Sequence, residues 1–188
     1  AHNVTEDADL GMRLARHGYR TELVDTTTYE EANCHGRAWV KQRSRWIKGF
    51  MMTWLTHMRD PVRLWRELGP RRFFGFQMLL LGSVIQSLTA PLLWTFWLVP
   101  FGVPHPVAGI LGPDLFRLLW LTFFATEGLT IAFGIAGVAR TAHRLNPLWV
   151  PSLSLYHPMA TAAAWKAARE MLTKPFWWDK TSHGQFGG

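Results

Sequence analysis

The side chains best suited to chemistry in this sequence lie on a predicted helix over residues 36–58. Gln42, Arg45 and Trp46 are spaced i, i+3 and i+4, so they project from one side of that helix. With the neighbouring Arg43 they offer guanidinium groups that suit a diphosphate and an indole plane on which a sugar ring can stack. Opposite aromatic and basic faces are also typical of a helix in a membrane interface, whose arginines extend to the headgroups. The spacing alone leaves both interpretations open.

A second group consists of the acidic side chains Glu6, Asp7 and Asp9 near the start of the chain. Carboxylates favour the positive end of a helix dipole. On composition alone, this is a better explanation of the clustered acids than catalysis. A helix is predicted over residues 7–17, with Asp7 as its N-cap and Gly18 as its stop.

A strand is predicted to follow that helix, over residues 19–25. Helix followed by strand fits the end of an α/β domain whose other strands precede this chain. The polar opening without an initiator Met likewise predicts a C-terminal piece of a longer protein.

The middle of the chain is apolar and almost uncharged. Residues 73–113 contain no Lys, Arg, Asp or Glu. Two membrane spans are predicted, one over about 74–99 with a kink at Pro91 and one over 118–139. Arginines flank the pair on both sides, so the positive-inside bias places both ends in the cytosol and the intervening loop outside. The alternative is a buried helical hairpin of a soluble protein.

Glu127 lies near the middle of the second predicted span. An acidic side chain at that depth marks function by default, here as a residue lining a channel. The alternative is a structural hydrogen bond to Gln86, Ser87 or Thr130.

A third apolar stretch, residues 148–165, is broken by Pro151 and Pro158 and has cations on both sides. A full crossing would place one of the basic clusters outside. A re-entrant or interfacial pair of helices satisfies the charge rule better.

Composition excludes several classes of protein. The chain has 188 residues, a formal net charge of +7 and one cysteine, Cys34, which excludes a disulfide framework and a Cys-rich zinc module. The basic balance suggests nucleic acid, but the uncharged middle and the lack of a nucleic-acid-binding motif argue against that partner. A non-catalytic membrane transport or assembly module remains an alternative.

Two short motifs carry a resemblance to a known family. Thr5-Glu6-Asp7, followed 35 residues after Asp7 by Gln42-Arg43-Ser44-Arg45-Trp46, resembles the TED and Q-x-x-R-W motifs of processive family 2 glycosyltransferases. This group contains the cellulose, chitin and hyaluronan synthases. An interfacial helix followed by membrane spans is also similar to that family.

The resemblance implies a mostly α chain in four parts. Residues 1–35 would be the C-terminal piece of a GT-A α/β catalytic domain, and residues 36–72 the amphipathic interfacial helix and a linker. Residues 73–139 would form two transmembrane helices. Residues 140–188 would form the re-entrant or interfacial helices and a cytosolic tail.

The resemblance also implies an activity, that of a hexosyltransferase. A sugar would pass with inversion from a nucleotide-sugar donor to a glycan or lipid acceptor, as in processive polysaccharide synthesis. Asp7 would be the general base, beside Glu6 and Thr5. The acceptor end and the diphosphate would be bound by a second set of residues: Gln42, Arg43, Arg45 and Trp46.

Near the C-terminus, Trp178-Asp179-Lys180-Thr181 is similar in character to a loop that closes over the nucleotide in related synthases. The residues expected to act in it are Trp178, Lys180, Thr181 and His183. The alternative is an ordinary interfacial anchor, with its tryptophans at the headgroups.

The cofactor implied is Mg²⁺ or Mn²⁺, with no metal site in this fragment. Asp7-Ala8-Asp9 has the letters of a D-x-D metal motif but overlaps the TED motif. The ligands are therefore expected before this chain, and the fragment alone is expected to be inactive. The expected location is the bacterial-type inner (plasma) membrane, multi-pass and with its catalytic side in the cytosol. The lipid bilayer and export or assembly subunits are the further partners.

Overall fold

The computed structural model describes residues 5–22, 24, 26, 33, 35–140 and 146–178, with residue 155 described by its backbone alone. This part of the chain is mostly helical and contains no strand. It divides into two compact units, Ala1–Leu88 with Met159–Gly188, and Thr89–Pro158.

The first unit opens with helix α1, Glu6–Arg16. Its N-cap is Thr5 and not Asp7, so the predicted cap is wrong, and Asp7 lies inside the first turn. Thr5 is buried against the next helix, which fixes where α1 begins. Gly18 ends the helix as predicted, with φ +81° and N–H donation from Gly18 to Ala15 O and from Tyr19 to Leu14 O.

The prediction of a strand over residues 19–25 is wrong for the part of that range that the structure describes. Tyr19 and Val24 are exposed and lie in no strand. A strand needs a neighbouring strand for its backbone hydrogen bonds, and residues 5–22, 35–140 and 146–178 supply none. An α/β fold is therefore not confirmed by this chain.

Helix α2, Gly36–His57, agrees with the helix predicted over 36–58. Helix α3, Pro61–Phe76, starts at the N-cap Asp60, whose carboxylate accepts from the Arg63 N–H at 3.0 Å. Pro61 occupies the first helical position, where its missing N–H costs nothing.

The backbone leaves helical geometry at Gly69, with φ 72° and ψ 169°, just before Pro70. Only glycine adopts this conformation readily, and Pro70 cannot donate to the preceding turn. A π-helical segment, Gln77–Gly82, and helix α4, Ser83–Trp94, then continue the chain. Pro91, the predicted kink, lies inside α4, while the non-helical torsions are those of Gly69 in α3.

Two apolar clusters hold the first unit together. Ile47 of α2 and Val84 of α4 pack against three buried alanines of helix α6, His157–Thr173. Leu64, Leu68, Phe76 and Leu80 form the second cluster, against side chains of α1 and α2. Helix α2 therefore packs against α1 and α3 as well as α6.

The second unit contains a 3₁₀ segment, Thr95–Phe101, helix α5, Pro113–Arg140, and a second 3₁₀ segment, Pro147–Tyr156. The second segment packs on α5 so closely that a Cβ on Gly134 would lie 2.5 Å from Val150 Cγ1. Of the prolines predicted to break the stretch 148–165, Pro151 lies inside this 3₁₀ segment, and the change from 3₁₀ to α-helix falls at His157, next to Pro158.

Two helical stretches are long and apolar enough to cross a membrane by length and composition, Pro61–Phe101 and Pro113–Arg140. They contain the spans predicted over 74–99 and 118–139. No residue of α5 is buried within the protein.

Candidate functional site

Thr5 joins the acidic start of α1 to the middle of α2. Its hydroxyl lies 3.4 Å from Thr53 Oγ1. A Cβ on Gly49 would lie only 2.6 Å from Thr5 Cγ2 and Oγ1, so the two helices meet where α2 has no side chain. The TED motif is therefore packed on the same helix that carries the Q-x-x-R-W motif, which begins at Gln42.

A second contact between α1 and α2 is polar. His57 is buried and contacts Asp9 Oδ1 through Nε2 at 2.9 Å and Arg16 NH1 through Nδ1 at 3.0 Å. Burial is the main reason that the pKa of His57 lies below its usual value. The positive charge of Arg16 lowers it further, and Asp9 opposes the shift.

These two contacts leave Asp7 and Glu6 on the exposed side of α1. The Asp7 carboxylate accepts from the Ala8 N–H at 2.8 Å and otherwise faces solvent. An exposed carboxylate between two anchored residues is available to an incoming hydroxyl group. Asp9 lies in the first turn of α1, as its interpretation as a residue of the helix start predicts, and it contacts His57 of α2.

In the Q-x-x-R-W motif, Arg43 contacts Trp46, although the i, i+3, i+4 spacing groups Trp46 with Gln42 and Arg45. The Arg43 guanidinium lies over Trp46, 4.5 Å from the ring centroid, and 5.3 Å from that of Trp39. Gln42 Oε1 accepts from Asn33 Nδ2 at 2.7 Å. Arg43 thus holds the indole by a cation–π contact, and its buried Nε has no hydrogen-bond partner in the described part of the chain.

Another face of α2 contacts α6 and the residues that follow it. Lys166 donates to Ser44 Oγ at 3.3 Å. Lys48 is buried and donates to the carbonyls of Lys174 at 2.6 Å and Trp177 at 2.7 Å. Its ammonium also lies 4.7 Å from the centroid of Trp178.

Trp178, the first residue of the predicted donor-closing loop, therefore lies against the helix that carries Gln42. The indole N–H of Trp178 is buried and has no hydrogen-bond partner within residues 5–22, 35–140 and 146–178. The other three residues of that prediction, Lys180, Thr181 and His183, lie outside the described residues.

Glu127 belongs to the second unit. Its carboxylate accepts from Ser154 Oγ at 3.1 Å, so its partner comes from the second 3₁₀ segment. Thr130 and Ser87, two of the partners predicted from sequence, donate to the backbone carbonyls of Thr126 and Ser83.

Sequence reasoning missed the roles of Asp9 with His57, Thr5 with Gly49, and Lys48 with the 174–178 segment. These pairs are 44 to 130 positions apart, and no local pattern marks them.

The described residues thus combine an acid-bearing helix packed on the helix of the Q-x-x-R-W motif with two helices that are long and apolar enough to cross a membrane. Residues 1–165 match the sequence model of the family described as glycosyl transferase family group 2. This match covers most of the chain, and the chain belongs to that family. No curated protein and no solved structure gives a significant match.

Proposed function

We propose that this chain is the acceptor-side, membrane-bound part of an inverting glycosyltransferase of the cellulose, chitin and hyaluronan synthase type. Family membership implies glycosyl transfer from a nucleotide sugar to an acceptor. The observation that supports the finer proposal is the packing of Thr5 on Gly49, which brings the TED motif against the helix that carries the Q-x-x-R-W motif.

Asp7 is the general base in this proposal. Its carboxylate takes the proton of the acceptor hydroxyl while the hydroxyl oxygen attacks the anomeric carbon. The bond between that carbon and the diphosphate breaks, the configuration inverts, and a nucleoside diphosphate leaves. The exposure of Asp7 supports this role, since Thr5 and Asp9 on either side are both engaged with α2.

The Q-x-x-R-W residues bind substrate on the same helix. Trp46, held by Arg43 on one ring face, presents the other face to a terminal sugar of the acceptor. Arg45 suits the diphosphate, because guanidinium groups bind phosphate oxygens through paired hydrogen bonds. Gln42 is oriented by its hydrogen bond with Asn33.

A divalent cation is not proposed for this part of the protein. Residues 5–22, 35–140 and 146–178 hold no group of three or more metal-binding side chains. The ligands of the expected Mg²⁺ or Mn²⁺ ion are proposed to lie outside these residues, in a donor-binding part of the whole enzyme.

The two long apolar helices support placement in a bilayer of the bacterial plasma-membrane type, with α1 and α2 in the cytosol. The outward side chains of α5 are largely Leu, Phe and Ile, which suits contact with acyl chains. The second 3₁₀ segment and α6 are proposed to be re-entrant or interfacial. The acceptor is a glycan or a lipid, and export or assembly subunits would receive a polymeric product.

The test uses membranes that contain the full-length protein, as wild type and as Asp7→Asn. Each is incubated with labelled nucleotide sugars and Mg²⁺ or Mn²⁺, and release of nucleoside diphosphate and labelled product are measured. We expect transfer with one donor and a loss of at least about 10²-fold in Asp7→Asn. Glu22→Gln, which changes an exposed acid beyond α1, is the control and should leave the rate unchanged.

Transfer that survives in Asp7→Asn would keep the family activity and move the base elsewhere. An absence of transfer with every donor, in protein shown to be folded, would contradict the proposal and favour a non-catalytic transport or assembly module.

A further inference from the structure

An open cavity of about 370 Å³ lies between α1 and α3 in the first unit, and no residue of the TED or Q-x-x-R-W motif lines it. Its lining consists of Arg13, Arg16, His17, Arg63 and Glu67. Sites for small ligands have volumes of about 300–1,000 Å³, so this cavity is large enough for one. Because its lining is charged, the cavity suits an ion.

The one acid of the lining is held between two guanidinium groups. Arg16 Nε donates to Glu67 Oε2 at 2.5 Å, and Arg63 Nε donates to Glu67 Oε1 at 2.6 Å. Glu67 thus brings two positive charges close together, and its single negative charge balances only one of them. Arg13 adds a third guanidinium group to the same cavity. A negatively charged ligand would relieve the repulsion among these groups.

Two of the arginines also keep hydrogen-bond donors that the described part of the chain does not use. Arg13 donates to Asp9 Oδ2 through Nε at 2.8 Å, and Arg63 likewise donates to Glu67 through Nε. The terminal nitrogens of Arg13 and Arg63 have no hydrogen-bond partner among the described residues. The carboxylates already orient both guanidinium groups, so a ligand that binds them has little ordering to impose.

The donor set favours a phosphate group over a carboxylate. A guanidinium group binds two phosphate oxygens through paired hydrogen bonds, and a phosphate has further oxygens that can accept from a second arginine. A carboxylate has only two oxygens, which one guanidinium group occupies. Even when Asp9 is counted with Glu67, two carboxylates face three guanidinium groups.

We infer that the cavity between α1 and α3 binds a phosphate group through Arg13, Arg16 and Arg63. This site is separate from the residues proposed for sugar transfer. A phosphate bound there bridges the two helices and therefore stabilises the packing of α1, the helix that carries Asp7, on α3.

Two sources share this chemistry, the headgroup of an anionic phospholipid and a soluble phosphate. Arg63 precedes the uncharged stretch 73–113, and its neighbours on α3, Val62 and Trp65, are exposed. An arginine beside exposed apolar and indole side chains suits the headgroup level of a bilayer. We therefore expect the phospholipid to bind more tightly than the soluble ion.

The experiment follows thermal unfolding of the delipidated full-length protein in a neutral detergent while one probe is titrated. The probes are phosphatidylglycerol added to the micelles and inorganic phosphate, with sodium chloride at equal ionic strength as the salt control. The test variant combines Arg13→Gln with Arg63→Gln. The matched control combines Arg20→Gln with Arg66→Gln, which removes the same charge from exposed arginines that do not line the cavity.

A ligand that binds only the folded protein raises the unfolding temperature as its concentration increases. We expect phosphatidylglycerol to do so in the wild type, with an apparent affinity at least about tenfold weaker in the test variant, which loses charge-assisted hydrogen bonds. The control variant should keep the wild-type affinity. A response to inorganic phosphate alone, with the same dependence on the two variants, would support the site and assign it to a soluble ligand.

The inference is overturned if neither phosphate probe stabilises the wild type beyond the effect of sodium chloride. An equal loss of affinity in the two double variants would overturn it as well, since binding would then follow net charge and not this cavity. The measurement needs no sugar transfer, so it decides the inference even if the proposed function fails.

Should the test variant fail to fold, Arg63→Lys takes its place. Lysine keeps the positive charge next to Glu67 but cannot form the paired hydrogen bonds of a guanidinium group. Weaker binding of the phosphate probe in Arg63→Lys supports the inference, and wild-type affinity refutes it.

Discussion

His57 Nε2 lies 2.9 Å from Asp9 Oδ1, although 48 positions separate the two residues in the sequence. The other ring nitrogen, Nδ1, lies 3.0 Å from Arg16 NH1. A guanidinium group only donates, so Nδ1 accepts, and Nε2 carries the hydrogen that is donated to Asp9. The neutral ring therefore ties both ends of α1 to the last turn of α2.

This arrangement predicts that low pH weakens the packing of α1 on α2. The pKa of His57 is lowered in the folded protein, so the unfolded chain binds a proton more readily. Stability from the neutral ring is present above about pH 6.5, the ordinary histidine value, and is lost as the pH falls below it. One such group changes the unfolding free energy by at most about 1.4 kcal/mol per pH unit.

Thermal unfolding of the detergent-solubilised protein between pH 7.5 and 5 measures this effect. His57→Gln, which does not titrate, should be less stable at pH 7.5 and lose less stability on acidification. His17→Gln, at an exposed histidine that ends α1, should keep the wild-type dependence. Identical slopes for wild type and His57→Gln would show that another group senses the pH.

Gly49 carries a second prediction, because a Cβ there would lie 2.6 Å from Thr5. Gly49→Ala should lower the unfolding free energy by about 1–3 kcal/mol, the usual cost of overpacking. It should also slow sugar transfer, since Thr5 is two residues from the proposed base. Denaturant unfolding and the transfer assay measure the two effects.

The matched control is Gly11→Ala in α1, where a Cβ meets nothing within 4 Å. Alanine there should stabilise the helix by about 0.5–1 kcal/mol. Thr5→Ala combined with Gly49→Ala removes both clashing atoms of Thr5 and should recover much of the lost stability. If the changes in unfolding free energy of the two single variants simply add in the double variant, Thr5 and Gly49 do not touch.

Much of the helical framework can be predicted from sequence because it rests on local signals. The apolar stripe of α2 gives the correct helix within one residue at its end, and Gly18 terminates α1 as its backbone freedom predicts. The apolar and almost uncharged middle of the chain likewise predicts two helices of membrane-spanning length.

The site depends on contacts that no local pattern encodes. Thr5 displaces Asp7 as the N-cap because it packs on a helix 44 positions away. Lys48 finds its carbonyl partners 126 and 129 positions later. The strand over 19–25 fails for a related reason, since alternating side chains predict a strand only where a partner strand supplies hydrogen bonds.

Variants of Ser154 and Glu127 distinguish two roles of Glu127: a hydrogen bond that stabilises the fold, and a place in the path of the product. Ser154→Ala should lower the unfolding free energy by about 1 kcal/mol, because it removes the hydroxyl that donates to the carboxylate at 3.1 Å. Ser152→Ala is the control, since its hydroxyl donates only to Trp149 O within the same segment.

Glu127→Gln keeps an oxygen that can accept from Ser154, so we expect little loss of stability. If Glu127 lines the path of the product, the same variant should slow elongation, measured as product length against time, while nucleoside diphosphate release on a short acceptor stays normal. A stability loss in Glu127→Gln larger than that in Ser154→Ala would show that the charge itself, and not this hydrogen bond, holds the second 3₁₀ segment on α5. Wild-type elongation together with wild-type stability would refute the channel role and leave Glu127 as the acceptor of a structural hydrogen bond.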